Sequence, residues 1–233
     1  MINNRPITVA IILAGGSGSR MNSKITKQQM QICGKSVLHH TIAAFEAATS
    51  VDAITIVARA DEIEFAKRES AGFGKVKCIV AGGKNRAESA RLGFEASASG
   101  AQFILIHDGA RCLITPGDID AIASAAYAEG AATAARPVTD TVKRVDAEGM
   151  IYETLSREGL YAVQTPQAFS CELYARALAA KMDMNVQITD DNMLVENIGA
   201  RIYPVITSSQ NIKITTPDDL GVAEFLIMKR QKI

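Results

Sequence analysis

The sequence predicts an α/β protein with a mostly parallel sheet, and three features carry that expectation. Four short apolar runs, TVAIIL (8–13), AITIVA (53–58), KCIVAG (77–82) and FILIHD (103–108), are β-branched and do not alternate with polar residues. Strands buried on both faces read this way. Helically spaced segments separate the runs, and alternation of strand and helix lays successive strands side by side and parallel. The third feature is a break in that rhythm between Pro137 and Leu160.

The first run leads straight into Gly15 and Gly16, so it reads as a buried strand feeding a glycine loop. It has neither the length nor the small-residue cleavage pattern of a signal peptide. Val37, Leu38, Ile42 and Phe45 recur at helical spacing, and two further helices are expected over 62–70 and 87–96. Thr115-Pro116-Gly117-Asp118 combines a capping hydroxyl, a proline in the first turn and an acid three residues after the cap. Thr216-Pro217-Asp218-Asp219 repeats that signal before a last helix, from Leu220 to about Lys229. In the irregular stretch, TVKRV and MIYETL flank Asp146-Ala147-Glu148-Gly149, which is hairpin-turn chemistry. Too polar to be buried as a pair, these strands are expected to project as an arm and to bury a face against a second subunit.

Composition narrows the partners. With 48% hydrophobic and 21% charged residues the chain is globular rather than disordered or fibrous. Lys plus Arg and Asp plus Glu number 25 each, so no net field favours a nucleic-acid polymer or an anionic membrane. Cys33, Cys78, Cys112 and Cys171 are scattered, with no CxxC pair, which fits reduced thiols rather than a zinc site or a disulfide scaffold. No run reaches the ~18 apolar residues of a membrane span. A cytoplasmic protein is expected.

The loop LAGGSGSRMNSKITKQ (13–28) is the densest chemical signal. It is not a dinucleotide fingerprint, because Met21 stands where the third glycine belongs, and it is not a Walker loop. Gly15, Gly16 and Gly18 let backbone N–H groups turn towards anionic oxygens, and Arg20 and Lys27 add two cations in the same loop. Surface exposure would explain isolated cations, but inside a glycine loop at a strand's carboxyl end they suit a triphosphate. Asp108 ends the fourth run, where open α/β sheets bind ligands, and Asp is a usual protein ligand of a Mg²⁺ that also touches phosphates. Arg111 could hold a second anion. His107 suits local packing or orientation, and His39 and His40 lie on a helix as structural residues.

LAGGSGSRM with Lys27-Gln28, then AGGKNRAESARLG, HDGAR, DTVKR, QTPQAF, TDD and NIKITTPDDL resemble, in order and over nearly the whole chain, the successive motifs of the 2-C-methyl-D-erythritol 4-phosphate cytidylyltransferases. The resemblance implies a Rossmann-like three-layer fold, one nucleotidyltransferase domain over 1–233, and residues 137–160 as the dimerisation arm of a homodimer. It implies Mg²⁺-dependent transfer of CMP from CTP to the polyol phosphate, with release of pyrophosphate. The attacking phosphate is already largely dianionic near neutral pH, since its second pKa is about 6, so no general base is required. Catalysis then rests on alignment and charge neutralisation.

By the same resemblance, Ala14, Gly15 and Gly16 belong to the nucleotide loop, Lys27 contacts the α-phosphate, Arg20 the departing phosphates, and Lys213 joins at the transition state. Asp108 coordinates Mg²⁺. Gly82, Gly83 and Ser89 belong to a cytosine-reading strip in which Arg86 could be purely structural. Arg111, Thr165 and Thr189 contact the acceptor, while Thr141 and Arg157 reach a neighbouring subunit's site from the arm. Thr165 and Thr189 also have structural readings, the latter as a helix cap. The sequence departs from the family pattern at Thr26, Cys112 and Asp191, where proline, proline and glutamate are usual, which puts loop rigidity and acceptor preference in doubt. The chain stops at Ile233, so the second enzyme of bifunctional relatives is not expected. A ribitol 5-phosphate cytidylyltransferase is the nearest alternative. A nicotinamide-dependent reductase and a non-catalytic nucleotide-binding dimer are weaker ones, opposed by the loop's cations and by the joint presence of Arg20, Lys27, Asp108 and Lys213.

Overall fold

The computed structural model describes residues 5–16, 25–97, 99–180 and 188–231. In chain order its elements are β1 (Thr8–Leu13), β2 (Gln31–Ile32), β3 (Lys35–Ser36), α1 (Val37–Ala47), β4 (Ala53–Ala58), α2 (Ile63–Glu69), β5 (Val76–Ala81), α3 (Arg86–Ser97) and β6 (Phe103–Asp108). They continue with α4 (Pro116–Glu129), β7 (Ala131–Pro137), β8 (Lys143–Val145), β9 (Ile151–Thr154), β10 (Tyr161–Ser170), α5 (Cys171–Ala179), α6 (Asn192–Asn197), β11 (Tyr203–Ile206) and α7 (Pro217–Gln231).

A seven-stranded sheet runs in the order β11-β7-β10-β6-β1-β4-β5. Its neighbours are parallel except at the two edges of β10, which is antiparallel to both β6 and β7. Successive side chains of a strand point to opposite faces, and β1 shows what that builds. Ala10 and Ile12 pack with Leu38, Ile42 and Phe45 of α1 and with Ile119 and Ile122 of α4. Ile11 and Leu13 pack with Ala90 and Phe94 of α3 and with Tyr174 of α5. The result is the expected three-layer α/β fold with cores on both sides of the sheet. A third cluster, including Ile32, Cys112, Leu113, Ile214 and Ile227, ties α7 to the β2–β3 hairpin. Cys112, at one of the departures from the family pattern, is a small apolar filler there.

Helix α3 lies close on the sheet because Gly93 has no side chain. A Cβ at that position would stand 2.5 Å from Ile11 Cγ2 and 2.7 Å from Val57 Cγ2. The expected cap of α4 is present, with Thr115 Oγ1 accepting from the Asp118 amide at 3.1 Å. At α7 the bonding runs in reverse: Asp219 Oδ2 accepts from the amides of Thr215 and Thr216 at 2.7 and 2.8 Å. Strands β8 and β9 form their own two-stranded sheet, separate from the central one. Their turn closes with Asp146 N donating to Met150 O and Gly149 N to Asp146 O, at 3.0 and 3.2 Å. Gly149 has φ +85°, which favours glycine. Among the described residues no helix is long and apolar enough to cross a membrane.

Candidate active site

The carboxyl ends of β1, β5 and β6 and the N-terminus of α3 surround a cavity of about 350 Å³, with Gly16, Lys27, Gly83, Arg86, Asp108 and Lys213 in its wall. That location is where open α/β sheets hold ligands. Lys84 also lines it, so a chain of zero net charge gathers four cations, Lys27, Lys84, Arg86 and Lys213, around one carboxylate. The local field therefore selects an anion.

Lys27 sits in a turn whose Gln29 amide donates to Thr26 O at 3.0 Å, and Gln28 O accepts from Leu38 N at 3.2 Å. A Cβ at Gly16 would lie 3.3 Å from Lys27 Cε, which places the lysine stem across the glycine loop. Thr26, another departure from the family pattern, donates its hydroxyl to the buried Glu62 at 2.5 Å, and Gln29 Nε2 donates to the same oxygen at 3.1 Å. Two hydrogen bonds to one carboxylate oxygen thus fix the turn that carries Lys27. Arg20 lies outside the described residues, as do the other loop positions 17–24.

Of the remaining loop and strip residues, Gly15 and Gly16 line the cavity. The amides of Ala14 and Gly82 are committed to the sheet instead, donating to Val57 O at 2.7 Å and Ala58 O at 2.8 Å. Asn85 caps α3 by accepting from Glu88 N at 2.8 Å, and Glu88 reaches back to Lys84 N at 2.7 Å, a reciprocal arrangement typical of helix starts. Ser89 faces the cavity, its hydroxyl donating to Asn85 O at 2.8 Å and accepting from Gly83 N at 3.1 Å.

Asp108 is the electrostatic centre. Lys213 Nζ donates to its Oδ2 at 2.7 Å, Arg86 Nε to its Oδ1 at 3.3 Å, and Arg111 Nε lies 3.9 Å from Oδ2. Burial opposes its ionisation, but Lys213 and Arg86 outweigh that and hold the carboxyl well below the usual range. Lys213 arrives from the far end of the chain because Ile214 beside it is buried in the third cluster and donates its amide to Ala110 O at 2.8 Å. Among the described residues no three His, Cys, Asp or Glu side chains stand together as a metal cluster. A metal at Asp108 would need most of its ligands from substrate and water, which is the habit of Mg²⁺.

A buried polar chain supports this centre from behind. Asp108 N donates to Thr165 Oγ1 at 3.0 Å, Thr165 Oγ1 lies 3.1 Å from His107 Nδ1, and His107 Nε2 lies 3.2 Å from Arg111 O. A carbonyl only accepts, so the imidazole carries its proton on Nε2 and receives the threonine hydroxyl proton on Nδ1. Burial holds the His107 pKa down to about 3, and the ring stays neutral. This is the orienting role the sequence suggested. Asn211 completes the chain, donating to Thr165 O at 3.0 Å and accepting from Arg111 Nη1 at 2.9 Å.

The other expected acceptor residues lie apart. Thr189 donates from its amide and hydroxyl to Met193 Sδ at 3.3 and 3.1 Å. It is not the cap of α6: Asp191 occupies that position, and Asp190 Oδ1 accepts from Met193 N at 3.2 Å. Thr141 and Arg157 are exposed on the arm, outside the cavity wall, with Arg157 donating to Thr139 O.

A three-layer α/β fold with a glycine loop, a cation-rich cavity at the strands' carboxyl ends and a single ion-paired aspartate defines a nucleotide-phosphate-handling class. Residues 8–229 match the profile of the 2-C-methyl-D-erythritol 4-phosphate cytidylyltransferases, and the chain belongs to that family. It is 44% identical over 225 residues to the enzyme of that name from Pelotomaculum thermopropionicum, covering 95% of this chain and 94% of that one. It is 40% identical to the one from Lachnospira eligens, covering 93% and 97%. Among solved structures, the 4-diphosphocytidyl-2C-methyl-D-erythritol synthase of Anaerococcus prevotii superposes with a TM-score of 0.83 at 28% identity, covering 96% of each chain. The cytidylyltransferase of Thermus thermophilus gives 0.76 at 28% identity, covering 95% of this chain and 98% of that one.

Proposed function

We propose that this chain transfers CMP from CTP to 2-C-methyl-D-erythritol 4-phosphate, releasing pyrophosphate. The observation that carries the reading is the convergence of Lys27, Lys213 and Asp108 on one cavity, in a member of this family. The acceptor's phosphate oxygen attacks the α-phosphorus in line, and no side chain need remove a proton. Lys27 and Lys213 hold the α-phosphate and stabilise the charge that builds as the bond to the leaving pyrophosphate breaks. Arg20 is assigned to that leaving group. Gly15, Gly16, Gly83 and Ser89 surround the nucleotide, with Ala14 and Gly82 fixing the backbone behind them. Arg111, Thr165 and Thr189 are assigned to the acceptor side.

Asp108 fits Mg²⁺, being a hard oxygen donor kept ionised by its neighbours in a cavity shaped for phosphates. Held by Asp108, the ion would supply Lewis-acid neutralisation of phosphate charge. Asp108, already shared by Lys213 and Arg86, would be the carboxylate that holds the ion.

The domain assignment follows the same reading: one nucleotidyltransferase domain, with 137–160 as the dimerisation arm, acting in the cytoplasm. Val145, Met150, Ile151 and Tyr152 are exposed on the arm, each by 54% or more. A second copy of the chain would bury them and bring the partner's Thr141 and Arg157 to the acceptor side. Pyrophosphate release from CTP, measured with methylerythritol phosphate and with ribitol 5-phosphate, tests the proposal. Turnover with methylerythritol phosphate is expected, and activity confined to ribitol phosphate would overturn the assignment.

A further inference from the structure

Arg86 is held by more than the cavity needs for a cation. Its Nη1 donates to Asp191 Oδ2 at 2.6 Å and its Nε to Asp108 Oδ1 at 3.3 Å. Asp191 is fully buried, its Oδ1 accepts from Tyr174 OH at 2.7 Å, and its amide donates to Gln167 Oε1 at 2.9 Å. Tyr174 is itself fixed between aromatic rings, stacked on Phe169 at 5.4 Å and edge-on to Phe94 at 5.1 Å. One guanidinium therefore joins two acids from different elements, with its Nη2 buried and lacking a hydrogen-bond partner among the described residues.

Stability alone is a poor account of this arrangement. A buried ion pair offsets its desolvation cost at best and is often replaceable by apolar side chains without loss, and a buried donor with no acceptor costs about 1–3 kcal/mol. The geometry of Asp108 supplies a reason for it. Arg86 occupies Oδ1, which leaves Lys213 only Oδ2. Without Arg86 the carboxylate would be free to turn both oxygens to Lys213 and draw the ammonium away from the reacting phosphate.

We infer that Arg86 and Asp191 form a positioning pair that sets the Asp108 carboxylate, and through it Lys213, and that links the segment carrying Thr189 to the phosphate end of the cavity. This rests on the proposed cytidylyl transfer. The pair acts on alignment rather than on nucleotide affinity, so its loss falls on kcat.

The test compares Arg86→Lys, Asp191→Asn and their double variant with the full-length protein. It measures kcat, KM for both substrates, the CTP dissociation constant and Tm. The wild type is assayed first, and the variants are compared on whichever acceptor it turns over, so failure with methylerythritol phosphate sinks the functional reading without touching the pair. Arg86→Lys keeps the charge but cannot span both acids, and is expected to lower kcat by about 10²-fold, the scale of an ångström-sized misplacement. CTP affinity should stay within about threefold. The double variant should be little worse than the poorer single one, because both act on one carboxylate. Since Asp191→Asn risks misfolding, Tyr174→Phe, which retains the acid and the ring, provides a milder loss of the same kind. Unchanged kcat in a folded Arg86→Lys, multiplicative losses in the double variant, or CTP affinity falling in step with kcat would each overturn the inference.

Discussion

The cavity and the arm are opposite solutions to holding charged residues in place. In the cavity, Asp108, Arg86, Lys213 and Asp191 are tied to one another across elements far apart in sequence, and a buried His–Thr–Asn chain supports them. On the arm, among the described residues, β8 and β9 pair only with each other. Their Arg144–Glu153 ion pair, 2.9 Å long with side chains 57% and 42% exposed, contributes little, since exposed pairs are worth about 0–1 kcal/mol. The cavity is set by its own chain, whereas Val145, Met150, Ile151 and Tyr152 of the arm stay exposed among the described residues. The contrast separates charges locked by internal contacts from charges and apolar groups left open to solvent.

The largest effect should come from breaking the cavity. Lys213→Ala and Lys27→Ala should each lower kcat by about 10²–10³-fold, with a much smaller rise in the KM for CTP, because their contribution is made in the transition state. Steady-state kinetics checks this, and equal binding loss at unchanged kcat would contradict the role. Next comes the arm. Ile151→Asp should shift a dimer towards monomer in analytical ultracentrifugation and lower activity with it. Mixing inactive Lys213→Ala with Arg157→Ala should restore part of the activity, since a mixed dimer would hold one intact site. Failure to recover, under conditions where the subunits exchange, would confine the arm to its own subunit.

A smaller effect separates the regions by pH. His107 titrates at about 3 when folded and near 6.5 when unfolded. Between those values the unfolded chain binds a proton that the folded chain does not, so stability falls as the pH drops through the window, by at most ~1.4 kcal/mol per unit. Denaturant titrations from pH 6.5 to 4 should show this slope, and His107→Gln should flatten it. The smallest contrast is in thiol reactivity. Cys33 is exposed, whereas burial pushes Cys112 up to about 12 and Cys171 up to about 11. Mass spectrometry after brief alkylation at neutral pH should find Cys33 modified first.

The sequence made the sheet's parallel half legible because its strands advertise themselves. TVAIIL, AITIVA and FILIHD coincide with β1, β4 and β6, and β5 is displaced from its expected run by a single residue. Strand β7, AATAARP, stayed hidden because alanine carries little strand preference, and β10 because its glutamines, threonine and proline are not the residues of an obvious central strand. In the site, Lys27 and Asp108 could be found from a glycine loop and a strand end. The place of Lys213 came only through resemblance, since 105 residues separate it from Asp108. Arg86 was visible as a residue but not as a link, because its partner Asp191 is equally remote and no periodicity relates them.

Gly93 gives the α3 wall a dependence that its chemistry alone would conceal. In dinucleotide-binding proteins the third glycine of the phosphate loop lets the first helix settle on its strand; here Met21 takes that place in the loop and the close approach occurs at α3 instead. Gly93 lies seven residues beyond Arg86, about two turns along the same helix. A methyl group there would lift α3 off Ile11 and Val57 and carry the strip 83–89 outward with it. The width of the cavity on its α3 side is thus gauged from behind the helix, by a position outside the cavity lining, and a substitution there would displace Lys84 and Arg86 together without removing either charge.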